Sequence, residues 1–83
     1  MSLHIKKRKD GLPDELRAAL VEARKGAGLS QAELGGKVGL PQMHVSGIET
    51  GRVVPRYDTL LELVRSLGLD LVLVPRNLVF RVN

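Results

Sequence analysis

Four consecutive basic residues, Lys6, Lys7, Arg8 and Lys9, form the densest run of one charge in the sequence. The 83 residues include thirteen Lys and Arg against nine Asp and Glu, a net charge of +4. These four residues account for that excess, so the rest of the chain is neutral overall. Basic arms often follow nucleic-acid phosphates or enter a minor groove, although a solvated tail has the same composition. A flexible arm over residues 1–12 that contacts DNA is therefore one of two alternatives.

The side chains that catalysis or metal binding would require are missing or far apart. There is no cysteine, and His4 and His44 are forty positions apart, so neither a thiolate nucleophile nor metal-ligand spacing is present. Gly36–Lys37 looks like the end of a phosphate-binding loop, but Val38 replaces the required Ser or Thr and Gln31 replaces the first glycine. We therefore expect no enzyme, no cofactor and no metal site.

The length and the apolar pattern indicate one small domain outside the membrane. No apolar run exceeds four residues, against roughly 20 needed to cross a bilayer. The first ten residues are charged, unlike a secretory signal. A chain this short without disulfides gains stability from self-association. We expect a cytoplasmic bacterial protein that forms a homodimer.

Four amphipathic segments with end signals predict four helices before residue 68. Ser30 and Glu33 form a capping box, and Gly28, Gly39 and Gly51 are typical helix ends. Apolar residues at three- and four-residue steps fill the segments between these signals. The predicted helices cover residues 13–27, 30–38, 41–50 and 57–67, within a domain over residues 13–68.

The C-terminal residues 69–83 show a different pattern. The runs 69–75 and 78–82 are short, apolar and rich in β-branched residues, which is typical of strands. A lone hairpin is marginal in water and leaves open edges, which a second subunit would cover. The segment therefore predicts a β dimerisation element, with contacts from Leu71, Val72, Leu73, Val74, Val79 and Phe80.

The second and third predicted helices have the features of a helix-turn-helix. That motif needs a small residue at the helix contact, a residue that tolerates positive φ at the turn, and apolar residues that hold the second helix. Gly35 and Gly39 meet the first two needs. The apolar positions are Leu34, Val38, Leu40, Val45 and Ile48.

The stretch GLSQAELGGKVGLPQMHVSGIETGRVVP closely resembles the Xre/Cro/cI-type helix-turn-helix of bacterial and phage repressors. The resemblance covers about residues 16–69 and implies an all-α, lambda-repressor-like domain of four to five helices, here followed by a short C-terminal β segment. Two positions depart from the family pattern. Gly35 stands where the family usually has Ala, and Gly47 stands where relatives often present a base-reading side chain.

The resemblance also implies which residues meet DNA. In the family, the third helix lies in the major groove with its N-terminal side chains against base edges. Gln42 has the amide needed for a bidentate contact to adenine, with ordinary polar surface as its alternative. Met43 suits either a thymine methyl or local packing, and His44 either a contact with a base or phosphate or plain exposure. Ser46 suits either a phosphate contact, which the resemblance favours, or a solvated helix face. By position, the base-reading residues are Gln42, Met43, His44, Ser46 and Gly47.

Phosphate contacts and a structural pair complete the implied site. Gln31 resembles the residue that contacts a phosphate and braces the base-reading glutamine. Arg24 and Glu49 match an arginine and a glutamate that often pair between helices one and three, a structural role. The predicted phosphate contacts are Gln31, Lys37, Arg52 and Arg56. The alternative for Gln31 is ordinary polar surface, and the alternative for Arg56 is a solvated loop charge.

Three functions stay open at the level of sequence. The first is a homodimeric repressor of its own operon, bound to a double-stranded operator. The second follows from LGLDLVLVPR, which looks like the tail of HipB-like antitoxins; this resemblance implies a HipA-like kinase toxin as partner. The third is a protein-interaction module that has lost DNA binding. Two observations favour it: residues 41–50 contain no Lys or Arg, and position 47 is a glycine.

Overall fold

The computed structural model describes residues 11–75 and Asn77 of the chain. Its helices are α1 (Asp14–Gly26), α2 (Gln31–Val38), α3 (Gln42–Thr50) and α4 (Tyr57–Ser66). Each lies inside its predicted range and is one or two residues shorter. The prediction of an all-α domain is thus confirmed, with four helices in the described part of the chain.

Local signals set the bounds of α2 and its neighbour α3. The Ser30 hydroxyl accepts from the Glu33 N–H at 3.0 Å, and the Glu33 carboxylate accepts from the Ser30 N–H at 2.9 Å. Hydrogen bonding by Ser30, chiefly from its backbone N–H to the carboxylate, holds the pKa of Glu33 below its usual value. Gly39 ends α2 at φ 73° and Gly51 ends α3 at φ 84°, a left-handed conformation that costs glycine little.

The apolar faces of all four helices meet in one core. The helix α2 packs against both α3 and α4, and α1 packs against α3. This arrangement leaves the N-terminal end of α3 on the outside of the bundle. The buried apolar side chains are Leu20, Leu34, Val45, Ile48, Leu60, Leu63 and Val64.

Gly35 lies where the chain returns closely over α2. Its carbonyl oxygen accepts from the Leu40 N–H at 2.8 Å. A Cβ at position 35 would collide with the Leu40 carbonyl oxygen. The departure from the usual Ala therefore has a physical reason, because the turn between α2 and α3 occupies the space of a methyl group.

The C-terminal segment differs from its prediction. Residues 69–75 form neither helix nor strand. Leu71 packs against the core of its own chain, whereas Val72, Leu73 and Val74 are exposed. A strand requires a hydrogen-bonded partner, and the described residues of the single chain supply none. The predicted strand over 78–82, with Val79 and Phe80, lies outside the described residues.

Candidate nucleic-acid interface

A buried ion pair joins α1 to the end of α3. Arg24 donates from Nε to Oε2 of Glu49 at 2.7 Å and from Nη2 to Oε1 at 3.1 Å. The two side chains are only 10% and 6% exposed. Arg24 also donates from Nη1 to the Leu29 carbonyl oxygen at 2.8 Å. The structural pair implied by the family resemblance therefore forms, and it also ties the turn between α1 and α2 to the core.

The environment of Glu49 keeps its carboxylate ionised. Burial by itself raises the pKa of Glu49, but hydrogen bonds from Arg24 and Gln31 outweigh burial and leave the pKa below its usual value. The hydrogen bond with Glu49 raises the pKa of Arg24. Both partners are thus charged at neutral pH.

Two glutamine amides extend this pair to the surface. Gln31, the first residue of α2, donates from Nε2 to Oε1 of Glu49 at 2.9 Å. Gln42, the first residue of α3, donates from Nε2 to Oε1 of Gln31 at 2.6 Å. We call this chain of Arg24, Glu49, Gln31 and Gln42 the amide relay. It runs from a buried cation to an exposed amide at the N-terminal end of α3.

The exposed face of α3 holds most of the predicted base-reading residues. Gln42 is exposed, and the Met43 side chain is 77% exposed without a covering partner in the part of the chain that the structure describes. His44 and Ser46 are half-buried beside them. An exposed large apolar side chain next to a held amide is chemically suited to the methyl and hydrogen-bonding edges of a base pair.

Gly47 does not face solvent, contrary to its predicted place among the base-reading residues. It is buried, and a Cβ there would lie 2.6 Å from Cγ2 of Val53. The loop after α3 folds back at this point, with the N–H groups of Arg52 and Val53 donating to the Gly47 carbonyl oxygen at 2.9 and 3.0 Å. The absence of a side chain at position 47 thus serves packing.

The cations of the site flank α3. Arg52 donates from Nε to the Thr50 hydroxyl at 3.1 Å and lies 3.5 Å from the Ser46 hydroxyl. Lys37 is exposed in the last turn of α2. Arg56 is exposed before α4, with its Nε 3.6 Å from the Asp58 carboxylate. Lys6, Lys7, Arg8 and Lys9 lie outside the described residues.

Two contacts of the site could not be read from residue types. Thr50 accepts from Arg52 and donates to the Ser46 carbonyl oxygen at 2.8 Å, which places the guanidinium along α3. The second is the bond between Gln31 and Glu49. A threonine in the last turn of a helix often bonds back to the preceding turn, so the first contact has a weak local signal.

Other kinds of site find little support in the described part of the chain. No group of three or more His, Asp or Glu residues there could hold a metal ion. No helix among the described residues is long and apolar enough to cross a membrane.

Three comparisons place the chain among known proteins. A family model described as a helix-turn-helix domain matches residues 11–76. The chain is 42% identical over 67 residues to a Sinorhizobium fredii (strain NBRC 101917 / NGR234) protein named uncharacterized HTH-type transcriptional regulator y4dL. That match covers 81% of this chain and 32% of the relative, so the chain spans about a third of the relative's length. A solved structure, titled a toxin-antitoxin module from Streptococcus pneumoniae, matches 75% of this chain and 68% of its own, with a TM-score of 0.62 and 37% identity.

Proposed function

This chain belongs to the helix-turn-helix domain family, and from that premise we propose that it binds a specific sequence of duplex DNA through α3. The family is one of transcriptional regulators, not of enzymes, and the Sinorhizobium relative is named as such a regulator. The observation that carries the proposal is the exposed N-terminal end of α3, where Gln42 is held by Gln31 and Met43 is uncovered.

Base reading falls to the exposed side chains of α3. A glutamine amide that presents a donor and an acceptor fits the N7 and N6 edge of adenine, and Met43 fits the methyl group of thymine. His44 and Ser46 lie at the border of this face, within reach of a base or a phosphate. Because Gly47 is buried, the proposed base-reading set is Gln42, Met43, His44 and Ser46.

Phosphate binding falls to groups around α3. The backbone N–H of Gln31 lies at the N-terminal end of α2, where the helix dipole favours an anion. Lys37, Arg52 and Arg56 supply exposed positive charge, and the arm at residues 6–9 adds four more cations. Since these contacts are ionic, affinity should fall steeply with salt.

The regulator acts, in this proposal, as a cytoplasmic homodimer that represses its own operon. Exposed Val72, Leu73 and Val74 support pairing with a second copy, because an uncovered apolar segment is costly in water. A two-fold dimer on a two-fold operator would place the two copies of α3 about 34–36 Å apart, one turn of the duplex.

Binding to the DNA upstream of the protein's own gene tests this proposal. The duplex and a scrambled version are titrated at two salt concentrations, with the wild type, Gln42→Ala and the neutral exposed control Ala19→Ser. We expect selective, salt-sensitive binding in which Gln42→Ala relaxes the base preference and Ala19→Ser leaves it unchanged. Equal affinity of a folded wild type for operator and scrambled duplexes would favour a module that binds protein.

A second candidate function is that of an antitoxin with a protein partner. It is favoured by the 37% identity to a chain of the Streptococcus pneumoniae toxin-antitoxin module. In this case a surface away from α3 would bind a HipA-like kinase toxin while α3 binds the operator. A gene for such a kinase next to this one, and a stable complex on size-exclusion chromatography, would support the antitoxin; two separate peaks at micromolar concentration would count against it.

A further inference from the structure

Glu49 constrains the orientation of Gln31. A carboxylate has acceptors only, so the Gln31 amide must present its Nε2 group to Oε1 of Glu49, as it does at 2.9 Å. Both oxygens of Glu49 also accept from Arg24, at 2.7 and 3.1 Å, which fixes the plane of the carboxylate. The carbonyl oxygen of the Gln31 side chain therefore points away from Glu49.

Gln31 in turn constrains Gln42. The side-chain oxygen of Gln31, which points away from Glu49, can only accept a hydrogen bond. Gln42 must therefore direct its Nε2 toward this oxygen, as it does at 2.6 Å. One N–H of Gln42 is used in this bond. Its Oε1 and its second N–H remain for a base, with the nitrogen on the side of Gln31 and the oxygen on the far side.

We infer that Glu49 is a positioning residue for base recognition: through Gln31 it sets the order in which Gln42 presents donor and acceptor to a base pair. The inference rests on the proposed DNA binding and extends it to a residue that does not touch DNA. The amide relay begins at the ion pair of Arg24 with Glu49 and ends at the exposed amide of Gln42.

The order of donor and acceptor decides which base fits. Adenine offers an acceptor at N7 beside a donor at N6, whereas guanine offers two acceptors at N7 and O6. A Gln42 amide with a fixed order matches adenine in one strand only. A rotation of the amide by 180° would set donor against donor and acceptor against acceptor. The relay therefore selects adenine on a particular strand against both guanine and the reversed base pair.

The variant Glu49→Gln removes the constraint with little change in size. The side chain at position 49 can then donate as well as accept, so the Gln31 amide can turn and release Gln42. The matched control is Glu22→Gln, an identical change of charge at an exposed position on α1, in a surface groove that Glu22 and Glu49 both line. Affinity is measured for four duplexes that carry each base pair in turn at the position where Gln42→Ala flattens the preference.

We expect Glu49→Gln to lower the preference for adenine by about three- to tenfold, the effect of one net hydrogen bond. Glu22→Gln should leave the preference unchanged. When Gln42 is already Ala, Glu49→Gln should cause no further loss, because the relay then has no end group. A folded Glu49→Gln protein with the wild-type preference would overturn the inference.

Gln31→Met serves where Glu49→Gln does not fold. It keeps the length of the side chain and leaves the Arg24–Glu49 pair intact, but removes the amide. Its unfolding midpoint should stay close to that of the wild type while the preference for adenine falls, and an unchanged preference would overturn the inference.

A measurement without DNA separates this inference from the proposed function. If the wild type prefers no duplex, base reading by α3 fails. The 15N–1H signals of the Gln42 side-chain amide in the free protein then decide whether the relay exists. They should shift in Gln31→Met and in Glu49→Gln and stay in place in Glu22→Gln; unshifted signals in the first two variants would overturn the relay.

Discussion

Arg24 is the cation of the buried ion pair in the interior of the site. Replacing it with Ala leaves the Glu49 carboxylate buried without its cation and the Leu29 carbonyl oxygen without a donor. We expect Arg24→Ala to lower the free energy of unfolding by about 3–5 kcal/mol, the usual cost of breaking a buried pair. Urea denaturation followed by circular dichroism measures this loss.

Arg65→Ala is the matched control for that experiment. Arg65 also pairs with a carboxylate, that of Asp70, at 3.4 Å, but the two side chains are 62% and 60% exposed. Exposed pairs contribute at most about 1 kcal/mol. A loss of similar size in both variants would mean that the burial of the Arg24 pair has no energetic consequence.

Acid stability depends on Glu49 in a direction that its pKa defines. The pKa is lower in the folded chain than in the unfolded one, so the unfolded state binds more protons in acid. The stabilisation is complete when the pH lies above the pKa of Glu49 in the unfolded state, about 4.3. It is lost as the pH falls through the lower pKa of the folded state. We therefore expect Glu49→Gln to be less stable than the wild type at pH 7 but to lose less stability between about pH 5 and pH 3.

Urea titrations at a series of pH values test this dependence. Glu33, whose pKa is also lowered, contributes in the same direction, so some acid sensitivity should remain in the Glu49→Gln variant. Equal slopes of unfolding free energy against pH for the two proteins would contradict the assignment to Glu49.

At the scale of elements, substitution by Ala at two adjacent glycines of α2 should change the unfolding free energy in opposite directions. A Cβ at position 35 would collide with the Leu40 carbonyl oxygen, whereas a Cβ at position 36 meets nothing within 4 Å. Gly35→Ala should lower the unfolding free energy by about 1–3 kcal/mol, a typical cost of overpacking. Gly36→Ala should raise it by up to about 1 kcal/mol through helix propensity. Thermal and urea unfolding of the two variants, side by side, measure the difference. If Gly35→Ala were stabilised, the turn at Leu40 would have shifted to make room for the methyl group at little cost.

The helices could be predicted from sequence because their signals are local. The capping box of Ser30 and Glu33 and the end glycines at 39 and 51 act within one turn of the chain. Burial of Gly47 could not be predicted in the same way, because it depends on how the loop at Val53 returns over α3. The predicted strand at 69–75 depends on a hydrogen-bonded partner strand, which the described residues do not provide.

In the site, too, some features could be predicted from the sequence and others depend on packing. Family resemblance implied the pair of Arg24 with Glu49 and the bracing of Gln42 by Gln31. It did not imply that Glu49 accepts hydrogen bonds from both Arg24 and Gln31, because the bond from Gln31 to Glu49 depends on side-chain geometry between two helices. The family resemblance implied the members of the relay, and the packing of α2 on α3 determines how they connect.

At the scale of the whole molecule, the exposed apolar residues after α4 predict how the chain associates. Val72 and Leu73 are exposed, whereas Leu71 packs on the core, so the first two can be changed without loss of internal packing. We expect Val72→Ser combined with Leu73→Ser to convert a dimer into a monomer in sedimentation velocity. Met43→Ser, at another exposed apolar site, is the control and should stay dimeric. A dimer that persists in the double variant would place the interface elsewhere.

The proposed separation of charge from base reading would have a consequence for how such a regulator evolves. Between Pro41 and Thr50 the chain carries no Lys or Arg, and the cations lie around this segment. After a gene duplication, changes at Gln42 and Met43 would direct one copy to a new operator. They would leave its non-specific affinity for other chromosomal DNA unaltered. We expect variants selected from a library randomised at these two positions to differ in target sequence and to share one salt dependence. Two such copies in one cell would diverge in the genes they control without competing differently for the rest of the genome.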